Sequence, residues 1–205
     1  MNRRLLLLVL GICFVLGASA ASAQKKWTVP NLKELPQSDM LSREGVHLSA
    51  REVAFLKEVT AREIAECIQD PGPNDPTTAN GLFLSLRVKR LELTPNGMKA
   101  LLVQGNDVCM CGATGNCTFW LIANEPNLKV LLKATGIQTF AIQKNKTSGY
   151  FDIVLGSQDS AMETYLREYK FDGKEYRLRR CSTIEWDDWQ GNALAKPRIM
   201  PYSCS

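Results

Sequence analysis

From Leu82 to Cys181 the chain is a succession of short apolar alternations cut apart by turn residues, and this texture restricts the fold more than any other feature of the 205 residues. Apolar and polar side chains that alternate over four to eight positions describe strands with one buried face. Eight segments read this way: "LFLSLRVKRLEL", "MKALLVQG", "CTFWLIA", "LKVLLKA", "TFAIQK", "YFDIVLG", "ETYLREYKF" and "EYRLRRC". Pro95-Asn96-Gly97, Glu125-Pro126-Asn127, Ser148-Gly149 and Asp172-Gly173 mark turns between them. The short connections predict an antiparallel meander. A faint repeat relates "LTPNGMKALLVQG" to "KNKTSGYFDIVLG", with Gly97 and Gly149 in matching places and a hairpin after each. The β region at 82–181 is therefore expected to consist of two blade-like units of four strands, too few to close a ring.

The segment before it has a different period. In "LSAREVAFLKEVTAREIAECIQD", Val53, Leu56, Ile64, Cys67 and Ile68 recur at helical spacing. Ser49 and Glu52 form a capping box, Leu48 and Val53 are placed as the hydrophobic staple, and Asp70-Pro71-Gly72-Pro73 stops the run. One amphipathic helix over 49–69 capping the β region is the expectation, which makes the fold mainly β, with α+β at the margin. The domain runs over 48–205, with an extended lead-in at 24–47 and a C-terminal tail at 182–205.

The first 23 residues have a basic start at Arg3 and Arg4, an apolar core from Leu5 to Leu16 and small residues at Ala18-Ser19-Ala20 or Ala21-Ser22-Ala23. That is the grammar of a cleaved secretory signal, and the apolar run falls short of the roughly 20 residues a spanning helix needs. A secreted or periplasmic chain without a membrane span is expected. Without this segment the formal charge drops from +4 to +2, which makes no case for nucleic acid as a partner. Cys13 leaves with the signal, and the even set Cys67, Cys109, Cys111, Cys117, Cys181 and Cys204 points to disulfides in an exported protein.

Candidate chemistry is sparse. The mature chain has one histidine, His47, in the lead-in, while a serine or cysteine nucleophile needs a base held within hydrogen-bond reach. Glu185, Asp187 and Asp188 lie between or beside Trp186 and Trp189, and read as a tail whose aromatics pack on the sheet. No phosphate-binding glycine loop and no zinc spacing is present. The chain is expected to be no enzyme and to hold no cofactor and no metal. If Asp172-Gly173 is a two-residue turn, Phe171 faces Lys174, and Lys170–Glu175 and Glu168–Arg177 become cross-strand charge pairs on a solvated face. The stretch "SGYFDIVLGSQDS" resembles the end of an FG-GAP-type repeat. That family's calcium loop is replaced here by "QKNKTSG", whose Lys144 and Lys146 stand where oxygen ligands are needed.

The densest chemical signal is "CMCGATGNC", Cys109 to Cys117. Zinc prefers a two-residue spacing between cysteines and redox centres a C-x-x-C at a helix start, and neither is present. Cys111 and Cys117 enclose "GATGN", whose glycines let the chain double back, so a disulfide between these two is predicted. Cys109 sits on an expected strand, facing the same way as Cys111, so that Cys67, Cys109, Cys181 and Cys204 keep three possible pairings. From Leu93 to Cys181 the chain resembles a group of secreted bacterial proteins of unknown function that carry the CGATGNC core, which implies an exported β-rich domain. It is also similar, more loosely, to periplasmic inhibitors of vertebrate lysozyme, which insert a disulfide-closed loop into the enzyme; their loop carries a histidine and residues 112–116 carry none. The functional expectation is a non-catalytic exported domain that binds a protein or envelope component or plays a structural part. Its binding surface would consist of Gly112, Ala113, Thr114, Gly115 and Asn116 with the neighbouring Trp120. The alternative is an envelope inhibitor of a lysozyme-like or proteolytic enzyme acting through the same 111–117 loop.

Overall fold

The computed structural model describes residues 46–69, 78–124, 126–158, 163–187 and 190–204. The signal, most of the lead-in, the Asp70–Pro73 stop, Glu125, Asp188 and Trp189 lie outside the described residues. Helix α1 spans Ala50–Gln69. Its capping box closes as the spacing requires: Glu52 N donates to Ser49 Oγ at 3.2 Å, and Ser49 N donates to Glu52 Oε2 at 2.7 Å. Leu56, Thr60, Ile64 and Cys67 face inward from successive turns. Leu48 and Val53 pack at the edge of the same cluster.

The next expectation fails. Residues 82–85, expected as the start of the first strand, belong instead to a short helix α2 (Ala79–Ser85) whose N-cap Thr78 accepts from Gly81 N. Leu82, Phe83 and Leu86 then bury on one side, a three-to-four residue spacing that an apolar run disguises as strand. β1 begins only at Arg87, and β1 (Arg87–Glu92), β2 (Lys99–Gln104), β3 (Cys117–Ala123) and β4 (Lys129–Ile137) form an antiparallel sheet in that order. The middle strands are buried on both faces. Leu101, Val103, Trp120 and Ile122 join Leu56, Ile64 and Phe83 in a core under the helices. Their neighbours Ala100, Leu102, Phe119 and Leu121 point the other way, into a second core.

That second core is closed by a five-stranded antiparallel sheet of β5 (Thr139–Thr147), β6 (Tyr150–Gln158), β7 (Glu163–Phe171), β8 (Tyr176–Asp187) and β9 (Ala193–Tyr202). Only Gln138 separates β4 from β5, so the meander steps from one sheet to the other there. Ile153, Leu155, Phe140, Tyr169 and Phe171 supply its inner face, with Tyr150 stacked on Phe171 at 3.8 Å between ring centroids. Phe151 stitches the layers: its N–H donates to Leu93 O at 2.9 Å and its carbonyl accepts from Tyr176 Oη at 2.9 Å. The molecule is thus helix on sheet on sheet, mainly β as the texture implied. The repeat maps onto the two sheets, Gly97 before β2 and Gly149 before β6.

Two details differ from expectation. Among the described residues there are nine strands rather than eight, because the tail at 182–205 completes β8 and forms β9. Pro197 and Pro201 disguised β9; proline is tolerated there because β9 is the sheet's last strand, paired on one side only. The 171–176 hairpin is also longer than a two-residue turn. Phe171 pairs with Tyr176, Lys170 with Arg177, Tyr169 with Leu178 and, after a bulge, Glu168 with Arg180, so the Lys170–Glu175 and Glu168–Arg177 pairs do not form. The Asp172 carboxylate explains the shift. It accepts from Lys174 N at 2.8 Å, Glu175 N at 2.9 Å and Arg177 Nε at 3.2 Å, holding a four-residue loop. These bonds, the backbone ones first, hold its pKa at about 2.

Candidate functional site

The densest motif of the sequence lies where the helical layer, the first sheet and the second sheet meet. β2 ends at Gln104, and Gly105 N donates to Thr118 O at 2.9 Å, so the chain leaves β2 still paired to the strand it will return to. Gly105 is required by close approach: a Cβ there would stand 2.6 Å from Met110 Cβ. Asp107 caps a single helical turn, α3 (Val108–Cys111), its carboxylate accepting from Cys109 N at 3.1 Å. Gly112 ends the turn with φ of +58°, a conformation that side chains disfavour. β3 then starts at Cys117.

The helical turn corrects the expected placement of Cys109. On a strand, residues 109 and 111 would face one way. On a helix two residues differ by about 200°, and the two sulfurs accordingly take partners in opposite directions. Cys109 bonds to Cys67 on α1, Cys111 bonds to Cys117, and Cys181 bonds to Cys204 on the far sheet. All six of these cysteines are therefore joined, and none offers a thiolate to a metal or to redox chemistry. Among the described residues, no group of three or more His, Cys, Asp or Glu is placed to hold a metal.

A third tie was not visible in the sequence. Asn116 Nδ2 donates to Gln158 O at 2.8 Å, and Gln158 N donates to Asn116 Oδ1 at 3.2 Å. The side-chain amide adds one rung to the end of β6 and fastens the loop to the second sheet. Asn116 Nδ2 also donates to Thr114 Oγ1 at 2.8 Å. Between these anchors Gly112, Ala113 and Thr114 are exposed, Gly115 and Asn116 half-buried, and Met110, Cys111 and Cys117 buried. The result is a small-residue tip on a base cross-linked to every layer of the fold.

Trp120 does not share this surface. It is 1% exposed, its indole in the core beneath the helices, and its Nε1 has no hydrogen-bond partner. Alternation along β3 implies one solvent face, but the helical layer and the second sheet together leave it none. The apolar residue that does stand free beside the loop is Val108, 78% exposed on α3.

The remaining candidates are dispersed. His47 is exposed, its backbone carbonyl accepting from Arg90 Nη2. Glu185 pairs with Arg198 across β8 and β9, and Trp186 is 40% exposed rather than packed on the sheet. A strongly perturbed carboxylate lies elsewhere. Glu52, 4% exposed, accepts from Arg90 at 2.8 and 3.1 Å and from Asn124 Nδ2 at 2.8 Å. The Arg90 hydrogen bond, with Ser49, holds its pKa at about 2 against the opposing effect of burial. A polar cleft of about 690 Å³ opens here, edged by Arg51, Glu92 and Lys99. Its buried acid is already saturated by Arg90, Ser49 and Asn124, so the cluster fastens α1 to β1 rather than offering a poised base. Compared with family models, with curated proteins and with solved structures, the chain gives no match in any of the three.

Proposed function

We propose that the protein is an exported, non-catalytic β-rich domain that recognises a protein or envelope component through the tip of its disulfide-closed loop, Gly112, Ala113 and Thr114, with Val108 beside it. One observation carries this reading: the tip is exposed while its base is fixed by Cys67–Cys109, Cys111–Cys117 and the Asn116–Gln158 pair. A loop that loses little freedom on binding keeps more of its contact energy as affinity, and small side chains suit close approach of a partner's surface. Three disulfides are compatible with an oxidising compartment, and no described helix is long and apolar enough to cross a membrane. With the signal-like first 23 residues, these support secretion or a periplasmic location.

Ala113→Arg and Thr114→Arg test the surface, since both residues are exposed; Ala113→Arg should leave the melting temperature unchanged, while Thr114→Arg also removes an acceptor of Asn116 Nδ2 and should lower it slightly. Loss of one component from an envelope-extract pull-down supports the reading, and an unchanged captured set removes it. The same exposed tip on a fixed base favours a second reading, a wedge-type inhibitor. A screen against lysozymes and secreted proteases checks it, and a flat result discards it.

A further inference from the structure

The helical layer that covers the first sheet does not close on itself. Between α1 and α2 runs a trench of about 420 Å³, within the roughly 300–1,000 Å³ range of small-molecule sites. It exists because three side chains stop at Cβ: Ala61 and Ala65, one turn apart on α1, and Ala79 at the start of α2. Longer residues at these exposed positions would fill it. The floor is apolar, made by Ile64 at 7% and Phe83 at 6% exposure.

The two ends differ in chemistry. At one, Lys57 holds its ammonium 5.4 Å from the centroid of the Phe83 ring, and no described carboxylate pairs with it. The other is rimmed by Ile68, 40% exposed. Ile68 adjoins Cys67, whose disulfide to Cys109 ties this end of α1 to α3. Of the six large apolar side chains exposed among the described residues, Ile68, Leu84 and Val108 all belong to this helical layer. An apolar trench with one cation at its end complements a molecule with an apolar chain and one anionic end. An apolar helix would cover the trench and leave the Lys57 ammonium without a counter-charge.

We propose that the α1–α2 trench binds a single-chain amphipathic anion, its acyl chain lying along Ala61, Ile64, Ala65 and Ile68 and its carboxylate on Lys57. This site is separate from the loop tip at 112–114, and loop variants leave it intact.

The test titrates the full exported chain, disulfides formed, with dodecanoate below its micelle concentration, followed by calorimetry. One saturable site is expected, at least tenfold tighter than for dodecyltrimethylammonium. Ala65→Leu, an exposed helix position at which leucine is tolerated, fills the trench and weakens dodecanoate tenfold or more while the melting curve stays put. Ala61→Leu repeats the test one turn earlier. Lys57→Glu reverses the head-group preference. Equal affinity for both head groups, binding that survives Ala61→Leu and Ala65→Leu, or absence of a saturable site would overturn the proposal. So would a concentration-dependent dimer on sedimentation that Ala65→Leu abolishes while dodecanoate fails to bind, which would make the trench a self-association surface.

Discussion

The two sheets are built from the same meander and repeat but are stabilised differently. In the first, β2 and β3 lie between the helices and the second sheet, so consecutive side chains such as Trp120 and Leu121 enter two different cores. In the second, the outer face has only a small cluster of Val154, Leu166 and Ile184 with Ile199 beside it. Around that cluster stand charges: Lys170 with Asp152 at 3.6 Å and with Glu168 at 3.5 Å, and Arg180 with Glu168 at 3.5 Å. Their cationic partners are over a third exposed, so solvent screens each pair even though the Asp152 and Glu168 carboxylates are largely buried. The first sheet and its helices therefore carry two apolar cores, and the loop at 105–117 is cross-linked to them while Asn116 ties it to β6.

The largest effect is expected where the comparison is sharpest. Trp120→Ala, in a strand covered on both sides, should lower stability by about 4 kcal/mol, and Ile199→Ala on the edge strand by about 1 kcal/mol. Chemical denaturation measures both, and equal losses would dissolve the distinction between the sheets. Next comes the cross-link between α1 and α3. The Cys67–Cys109 bond closes a separation of 42 residues and Cys111–Cys117 one of 6, so chain entropy ranks them at about 4 and about 2 kcal/mol. Cys67→Ser with Cys109→Ser should destabilise more than Cys111→Ala with Cys117→Ala, in thermal melts. The reverse order would mean that the loop, and not the helix, is what the sulfurs hold.

An acid titration sharpens the same picture on the helix side. Glu52 is held at about 2 in the folded protein, against an ordinary 4.5. A lowered pKa contributes stability that is complete above about pH 4.5 and is lost as the pH falls toward 2. Wild type should lose up to about 3 kcal/mol across that window, and Glu52→Gln should lose correspondingly less. Asp172, also at about 2, titrates in both proteins and cancels in the difference. Parallel curves for the two proteins would show that Glu52 does not fasten α1 to β1. The smallest effect belongs to the Asp172 loop. Asp172→Asn keeps an acceptor for Lys174 N and Glu175 N and should change the melting temperature little, while Asp172→Leu removes it and should permit the shorter turn, seen as altered β7–β8 cross-strand contacts by NMR.

What the sequence made legible follows the range of the interactions. The capping box of Ser49 and Glu52, the strands from β2 to β7, the turn positions and the closure of Cys111 on Cys117 all depend on residues a few positions apart. β9 was concealed because Pro197 and Pro201 argue against a strand until its edge position is known. α2 was concealed because a short apolar run fits either period. The partner of Cys109 was unreadable for two reasons: one turn of helix, nucleated by Asp107, reverses its direction, and Cys67 lies 42 residues away. Trp120 illustrates the same limit. Alternation along β3 separates two faces, but only the three-layer stack decides that both are buried.

The proposed recognition surface is the exposed tip at Gly112–Thr114, held in place by its cross-linked base. The most direct measurement captures partners from envelope extract with wild type, Ala113→Arg and Thr114→Arg at a temperature where all three are folded. One component bound by wild type and lost with both variants is the expected result. An identical captured set for all three would contradict it.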